Sequence, residues 1–128
     1  MGAQILVVDD HPPTVMLIRS ALEAEGFSVS SASNGAEGLL AINAQRPDLV
    51  ILDVIMPVMD GFQTLRVLRE TAETKELPVL ILTCRKEDED LLKGWRSGAD
   101  LYLTKPFELE ALVSVVRRMT ARPEGATG

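Results

Sequence analysis

The chain has 128 residues, 46% of them hydrophobic and 25% charged, which fits a single globular domain with a buried core. Its formal net charge of −6, together with the lack of any apolar run near the roughly 18 residues of a membrane span, argues against contact of this domain with nucleic acid or a membrane. The single cysteine, Cys84, excludes an internal disulfide and indicates a reducing, cytoplasmic setting.

Short apolar runs predict five β-strands. In chain order they cover residues 5–8, 27–31, 49–52, 79–82 and 101–103. The first, third and fourth consist of Val, Ile and Leu alone, which indicates strands buried on both faces, as in a parallel sheet covered by helices. The second alternates apolar and polar residues and predicts an edge strand with one face in water.

Apolar residues at helical spacing follow each predicted strand. The predicted helices cover residues 14–25, 34–45, 61–70, 87–97 and 108–121. Glu108 and Glu110 open the last helix and Arg117 and Arg118 close it, an order that suits the helix dipole. Five strand–helix units in strict alternation predict a parallel sheet with helices on both faces. We expect one domain at residues 1–121, followed by a Pro- and Gly-containing tail at 122–128.

Polar residues stand where four of the predicted strands end. In such sheets the ligand site lies beyond the carboxyl ends of the strands. The residues at these ends are Asp9 and Asp10, Asp53, Thr83 and Lys105. Although they are far apart in sequence, the fold predicts that they converge.

The chemistry of these five residues indicates a phosphoryl site. Three carboxylates in one crevice repel each other, and a hard divalent ion such as Mg²⁺ relieves that repulsion. Lys105 adds a positive charge, Thr83 adds a hydroxyl, and a carboxylate can act as nucleophile. Taken singly, each residue has a plainer interpretation: Asp9 or Asp10 as the cap of a helix that starts near Pro12, Thr83 as a cap, and Lys105 as a solvated loop residue.

Five motifs in the sequence carry a family resemblance. They are VVDD at 7–10, DLVILDVIMPVMDG at 48–61, LPVLILT at 77–83, GAD at 98–100 and KPF at 105–107. Over residues 4–120 the chain resembles the receiver domains of two-component response regulators and is closest in layout to the single-domain chemotaxis type. The resemblance implies a flavodoxin-like (βα)5 fold with strand order 2-1-3-4-5.

The resemblance also implies a role for each site residue. Asp53 would be the phosphoacceptor, taking a phosphoryl group from a phosphohistidine. Asp10 and Asp53 would coordinate Mg²⁺, Asp9 would act through a metal-bound water, and the backbone carbonyl of Ile55 would be a further ligand. The side chains that contact the phosphoryl oxygens would be Thr83 and Lys105.

Further positions match residues that, in this family, change conformation on phosphorylation or shape the loops around the site. Tyr102, three residues before the lysine, would be the aromatic switch that turns inward when the Thr83 hydroxyl moves toward the phosphoryl group. Pro106 would follow a cis peptide that aims the lysine. Pro57 and Gly61 would shape the loop after the phosphorylated strand.

The implied function is a switch rather than an enzyme that turns over a free substrate. The domain would catalyse only its own phosphorylation and dephosphorylation, and would change its helix 4, strand 5 and helix 5 surface. Implied partners are a histidine kinase or phosphotransfer protein, and a downstream target or covalently linked output domain. A homodimer on phosphorylation is a further option that the sequence leaves open.

The chain departs from fast-decaying members of the family at Ile55 and Arg85. Polar side chains there position the attacking water, and Ile55 has none, so we expect a longer-lived phosphoryl group. Trp95 has two interpretations, as a core residue or as an anchor for a partner. His11 is expected to be an exposed residue at the mouth of the site, and Cys84 a small apolar filler.

Three other functions remain as alternatives. An FMN-binding electron carrier needs a donor-rich loop after the first strand, whereas this chain has the acidic sequence DDHPP. An aspartyl-nucleophile phosphohydrolase needs a second Asp two positions after the first, where Ile55 stands. A degenerate docking scaffold would lack some of the five site residues, all of which are present.

Overall fold

The fold, in a computed structural model that describes residues 2–54, 56, 58–83 and 98–121, is a five-stranded parallel sheet in the order β2-β1-β3-β4-β5. The strands are β1 Gln4–Val8, β2 Ser28–Ala32, β3 Leu49–Asp53, β4 Val79–Thr83 and β5 Leu101–Thr104. The helices are α1 Pro12–Ala24, α2 Gly35–Ala44, α3 Gly61–Glu70 and the C-terminal helix Leu109–Thr120. The predicted flavodoxin-like fold is confirmed. The helix predicted at 87–97, which contains Trp95, and the tail predicted at 122–128 lie outside the described residues.

Helices cover both faces of the sheet. Because successive side chains of a strand point to opposite faces, each buried strand contributes to two separate cores. One core joins the sheet to α2 and α3; its members include Leu6, Val8, Ile42, Val50, Leu52, Leu65, Leu68 and Ile81. The other joins it to α1 and the C-terminal helix; its members include Ile5, Val7, Ile18, Leu22, Leu80, Leu82, Leu112 and Val116. None of the described helices is long and apolar enough to cross a membrane.

The helix α3 has the bounds that the sequence predicted, 61–70, whereas the other described elements differ from their predictions by one or two residues at an end. The prediction of 14–25 for α1 was wrong at its start, since the helix begins at Pro12, where the missing N–H of proline costs nothing. Gly26, with φ +95°, follows the end of this helix in the left-handed conformation that glycine favours. The β2 strand is an edge strand with mostly exposed side chains, as its alternating pattern predicted.

A half-buried arginine organises the amino-terminal edge of the sheet. Arg69, in the last turn of α3, donates to the carbonyl oxygens of Gly98 at 2.7 Å, Leu77 at 2.8 Å, Lys75 at 3.1 Å and Thr74 at 3.2 Å. Its remaining bond goes to the Oδ2 atom of Asp100 at 3.2 Å, and that oxygen also accepts the backbone N–H of Val79 at 2.8 Å. These groups, which we name the Arg69 cluster, tie α3, the start of β4 and the approach to β5 together.

Candidate functional site

The carboxyl ends of β1 and β3 bring three carboxylates together. The two strands are parallel neighbours with Val8 opposite Leu52, so Asp9 and Asp53 follow them side by side. Carboxylate oxygens of Asp9, Asp10 and Asp53 lie within 4.8 Å of one another. Asp9 and Asp53 are buried, whereas Asp10 is exposed. The convergence expected from the fold is therefore observed for the acidic residues.

Lys105 reaches the same site from the end of β5. Its Nζ atom lies 3.3 Å from Oδ2 of Asp9 and 3.4 Å from Oδ1 of Asp53. Its backbone N–H donates to the carbonyl oxygen of Thr83 at 2.6 Å, and its peptide bond to Pro106 is cis. Lys105 is thus an ion-pair partner of the two buried carboxylates rather than a solvated loop residue. We name Asp9, Asp10, Asp53 and Lys105 the carboxyl-edge site.

Among the described residues of the site, three carboxylates outnumber one cation, Lys105. Burial, and then the charge of Asp9, raise the pKa of Asp53 to about 6, although Lys105 acts in the opposite direction. Burial alone would lower the pKa of Lys105, but the two facing carboxylates outweigh it and the pKa of the lysine is raised. At neutral pH the lysine is charged and Asp53 is mostly ionised. The site therefore favours an added positive charge.

The helix-cap interpretation of the acidic pair is not what the structure shows. The N-cap of α1 is His11, whose side chain makes no capping bond to the helix backbone. The Oδ1 atom of Asp9 instead accepts the backbone N–H of His11 at 2.9 Å, outside the helix. The His11 ring is exposed, as expected, and its Nδ1 atom lies 2.7 Å from Oγ1 of Thr14. One oxygen of Asp9 thus fixes the turn, while the other faces Lys105.

The two predicted switch residues lie on the neighbouring strands β4 and β5. Thr83 is the last residue of β4 and is fully buried, opposite Thr104 of β5 in the parallel register. Tyr102 is half-buried in β5 and packs against the core on the α2 and α3 side. The two residues therefore lie on the neighbouring strands β4 and β5, and their roles as switch residues stay predictions.

The loop between β3 and α3 is held close to the site. Gly61 donates its N–H to the carbonyl oxygen of Val54 at 2.9 Å, and a Cβ atom at position 61 would lie 2.4 Å from the carbonyl oxygen of Asp53. Only glycine fits there, and its role in shaping the loop stays a prediction. Ile55 and Pro57, also predicted from this loop, and Cys84 and Arg85 lie outside the described residues.

Two features of this loop were missed by the sequence analysis. Val58 has φ +68°, a left-handed conformation that is costly for a β-branched residue, and its side chain is 81% exposed. Gly35, at the start of α2, donates its N–H to the carbonyl oxygen of Met59 at 3.1 Å. No local signal marks either feature, because Val disfavours this conformation and the Gly35 contact joins separate elements.

The described residues fit a hard divalent cation. The donors are carboxylate oxygens, two of the three residues are buried, and a single lysine opposes them. Mg²⁺ takes oxygen ligands, commonly one or two carboxylates together with water and phosphate oxygens. Burial and the charge of Asp9 raise the pKa of Asp53 although Lys105 lowers it, and a bound cation would add to the effect of Lys105.

Comparison with known proteins gives a consistent family assignment. The sequence model of the family described as the response regulator receiver domain matches residues 5–117 of this chain. The protein PilH of Pseudomonas aeruginosa is 39% identical over 119 residues, which cover 93% of this chain and 98% of PilH. The response regulator MprA of Mycobacterium bovis is 42% identical over 128 residues, which cover 98% of this chain and 55% of MprA. The chain thus spans nearly all of one relative and about half of the other.

Solved structures show the same likeness. A putative response regulator from Chloroflexus aurantiacus superposes with a TM-score of 0.88 at 34% identity, covering 95% of this chain and all of that one. The chemotaxis response regulator CheY4 of Vibrio cholerae superposes with a TM-score of 0.85 at 34% identity, covering 93% and 99% of the two chains. The fold is therefore shared with these proteins.

Proposed function

The chain belongs to the response regulator receiver family, and from this membership we propose that it is a phosphorylation switch whose phosphoacceptor is Asp53. The observation that carries the proposal is the pairing of Lys105 with two buried carboxylates at the carboxyl edge of the sheet. A buried, mostly ionised carboxylate with a cation beside it has the properties of a nucleophile for phosphoryl transfer.

The transfer would convert a phosphohistidine and Asp53 into histidine and an acyl phosphate. A carboxylate oxygen of Asp53 forms the new bond to phosphorus, the bond between phosphorus and the imidazole nitrogen breaks, and the imidazole leaves with the electron pair. Lys105, already 3.4 Å from Asp53, would donate to a phosphoryl oxygen and oppose its charge. The Thr83 hydroxyl would contact another phosphoryl oxygen.

Mg²⁺ would complete the charge balance of the site. Asp10 and Asp53 would hold it directly, together with the backbone carbonyl of Ile55, and Asp9 would hold it through a water. When bound, the ion neutralises carboxylate and phosphoryl oxygens and so lowers the repulsion between nucleophile and phosphodonor. Asp9 is already engaged by His11 and Lys105, which supports the indirect role.

Phosphorylation would act on Thr83 and Tyr102. The phosphoryl group adds about −1.5 to −2 charges and three strong acceptors, and these favour a new position of the threonine hydroxyl. Tyr102, half-buried beside the core, would then turn inward and change the surface around β5.

The proposed partners follow from the family. Response regulators act with histidine kinases and with output domains. For this chain we propose a histidine kinase or phosphotransfer protein as phosphodonor, and a target protein or linked output domain as receiver of the signal. A phosphorylation-linked homodimer through the surface around β5 is compatible with these partners.

The proposal is tested by intact mass spectrometry with a small phosphodonor. The protein is incubated with acetyl phosphate, with and without Mg²⁺, alongside Asp53→Asn and Asp48→Asn. Asp48 is an exposed acid at the other edge of the sheet and serves as the matched control. We expect one phosphate adduct that requires Mg²⁺, persists in Asp48→Asn and is lost in Asp53→Asn. A folded wild type that neither binds Mg²⁺ nor gains a phosphate would contradict the proposal.

A further inference from the structure

The start of α2 touches the loop that leads from Asp53 to α3. Gly35 is buried, and its N–H donates to the carbonyl oxygen of Met59, at 3.1 Å. Met59 lies two residues before Gly61, which closes the loop by its bond to Val54. The loop is therefore fixed by two contacts. Gly61, the first residue of α3, bonds to Val54, and Gly35 of α2 bonds to Met59.

No side chain fits at position 35. A Cβ atom there would lie 1.9 Å from Oγ1 of Thr64, 2.7 Å from the carbonyl oxygen of Met59 and 2.9 Å from its Cγ atom. Contacts this short do not occur between real atoms, so a neighbour must move. One of the three is backbone of the loop itself, which means that a larger residue at position 35 displaces the loop as well as α3.

The start of α2 is itself firmly fixed. The side chain of Asn34 accepts the backbone N–H of Glu37 at 2.9 Å, and the side chain of Glu37 accepts the backbone N–H of Ser33 at 3.1 Å. These reciprocal bonds satisfy the free donors of the first turn and resist its displacement. Strain from a side chain at position 35 would therefore be relieved in the loop rather than in α2.

We propose that Gly35 is a positioning residue for Mg²⁺ binding: its close approach to Met59 fixes the end of the loop that packs, through Gly61, against the backbone of Asp53. This inference rests on the proposed function. Groups that orient metal ligands from behind commonly change metal affinity about 10- to 100-fold when they are altered. Gly35 would act in this way through the backbone, without touching the ion.

The test measures Mg²⁺ affinity directly by calorimetry and, separately, the Mg²⁺ dependence of phosphorylation by acetyl phosphate. For Gly35→Ala we expect about tenfold weaker Mg²⁺ binding. The Mg²⁺ concentration for half-maximal phosphorylation should rise by a similar factor, whereas the rate at saturating Mg²⁺ should change much less. A residue with a merely structural role would lower the melting temperature without this split.

A second variant covers the case in which Gly35→Ala does not fold. The double variant Gly35→Ala/Thr64→Ala removes the shortest contact, with Oγ1 of Thr64, and keeps the contact with the Met59 carbonyl. Its Mg²⁺ affinity should stay low although its folding recovers. Thr64→Ala alone, which loses a bond to the Asp60 carbonyl, is its reference.

Gly38→Ala is the matched control. Gly38 is another buried glycine of α2, but its Cβ atom would meet side-chain atoms of Val8 at 3.1 and 3.3 Å and not the loop. Wild-type Mg²⁺ affinity in Gly38→Ala, with loss in both Gly35 variants, supports the inference. Equal loss in Gly38→Ala, or wild-type affinity in a folded Gly35 variant, overturns it and leaves the proposed function standing. A wild type without Mg²⁺ binding or phosphorylation overturns both.

Discussion

The two edges of the sheet hold two charged clusters that are built in opposite ways. In the Arg69 cluster one guanidinium meets one carboxylate and four carbonyl oxygens, and that carboxylate also accepts a backbone N–H. In the carboxyl-edge site three carboxylates face one lysine. Within the described part of the chain, the guanidinium and carboxylate of the first cluster are fully paired, whereas the second has fewer cations than carboxylates.

This difference is the one we expect between a structural cluster and the proposed functional site. A buried polar network stabilises a fold only when its members are satisfied. The Arg69 cluster meets this condition, and its effect is to join α3, β4 and β5. The carboxyl-edge site does not meet it, and its cost is visible in the raised pKa of Asp53. Such a site is stabilised by what it binds, which is the property that a switch requires.

The largest effect on folding is expected at the Arg69 cluster. Arg69→Met keeps the apolar stem and removes every bond of the guanidinium, leaving Asp100 without its cation. We expect a loss of about 3 kcal/mol in the free energy of unfolding, measured by urea denaturation. Phosphorylation by acetyl phosphate, measured below the unfolding transition, should persist.

Arg66→Met is the control for this prediction. Arg66 is an exposed residue of the same helix, and its replacement should change stability by less than about 0.5 kcal/mol. Equal stabilities of the two variants would show that the Arg69 cluster contributes nothing beyond a surface charge, and the contrast between the two edges would fail.

At Asp53 we expect a substitution to raise the free energy of unfolding rather than lower it. The pKa of this carboxyl is about 6 in the folded protein and about 4 in an unfolded chain, so between these values the folded state binds more protons. Ionisation of Asp53 therefore lowers stability as the pH rises from about 4 to above 6. Asp53→Asn should escape this loss and gain roughly 2–3 kcal/mol at pH 7.5 without Mg²⁺.

The pH dependence makes this second prediction specific. The gain of Asp53→Asn over wild type, measured by denaturation, should shrink toward pH 4 and also shrink when Mg²⁺ is added at pH 7.5. Asp48→Asn, at the exposed control position, should show no such dependence. A gain that is the same at every pH would mean that the charge of Asp53 is not the cause.

The smallest effect is expected at Val58. Val58→Gly should be about 0.5–1 kcal/mol more stable than wild type. The substitution removes the strain of the left-handed conformation, and the greater backbone entropy of glycine in the unfolded chain offsets part of that gain. Val58→Ala removes most of the same side chain but keeps a Cβ atom in the strained conformation, so it should recover little. If Val58→Ala gained as much in thermal melting, exposure of the isopropyl group rather than backbone strain would explain the effect.

The sequence was sufficient to predict the sheet and the acidic cluster. Strands made almost wholly of Val, Ile and Leu, such as Val79–Thr83, are buried on both faces, and this pattern is local. The convergence of Asp9, Asp53 and Lys105 follows from the parallel order alone, because each stands at the carboxyl end of its strand. Helix starts were less certain, since α1 includes both prolines that the periodic pattern omitted.

The remaining features depend on contacts that a single sequence does not record. Arg69 reads as an ordinary basic residue near a helix end, and its five bonds join segments up to 31 positions away. Gly35 and Met59 meet only after α2 and the loop are packed together. The left-handed conformation of Val58 runs against its residue type. In each case packing between elements overrides the local preference.

The central claim, that Asp53 is the group that accepts the phosphoryl group, is tested most directly by locating the modification. The protein is phosphorylated with acetyl phosphate and Mg²⁺ and then treated with borohydride, which reduces an acyl phosphate of aspartate to homoserine. Peptide mass spectrometry then finds the altered residue. We expect homoserine at position 53 and unmodified aspartate at positions 9 and 10. Homoserine at either of those positions, or at none in a protein that has gained a phosphate, would contradict it.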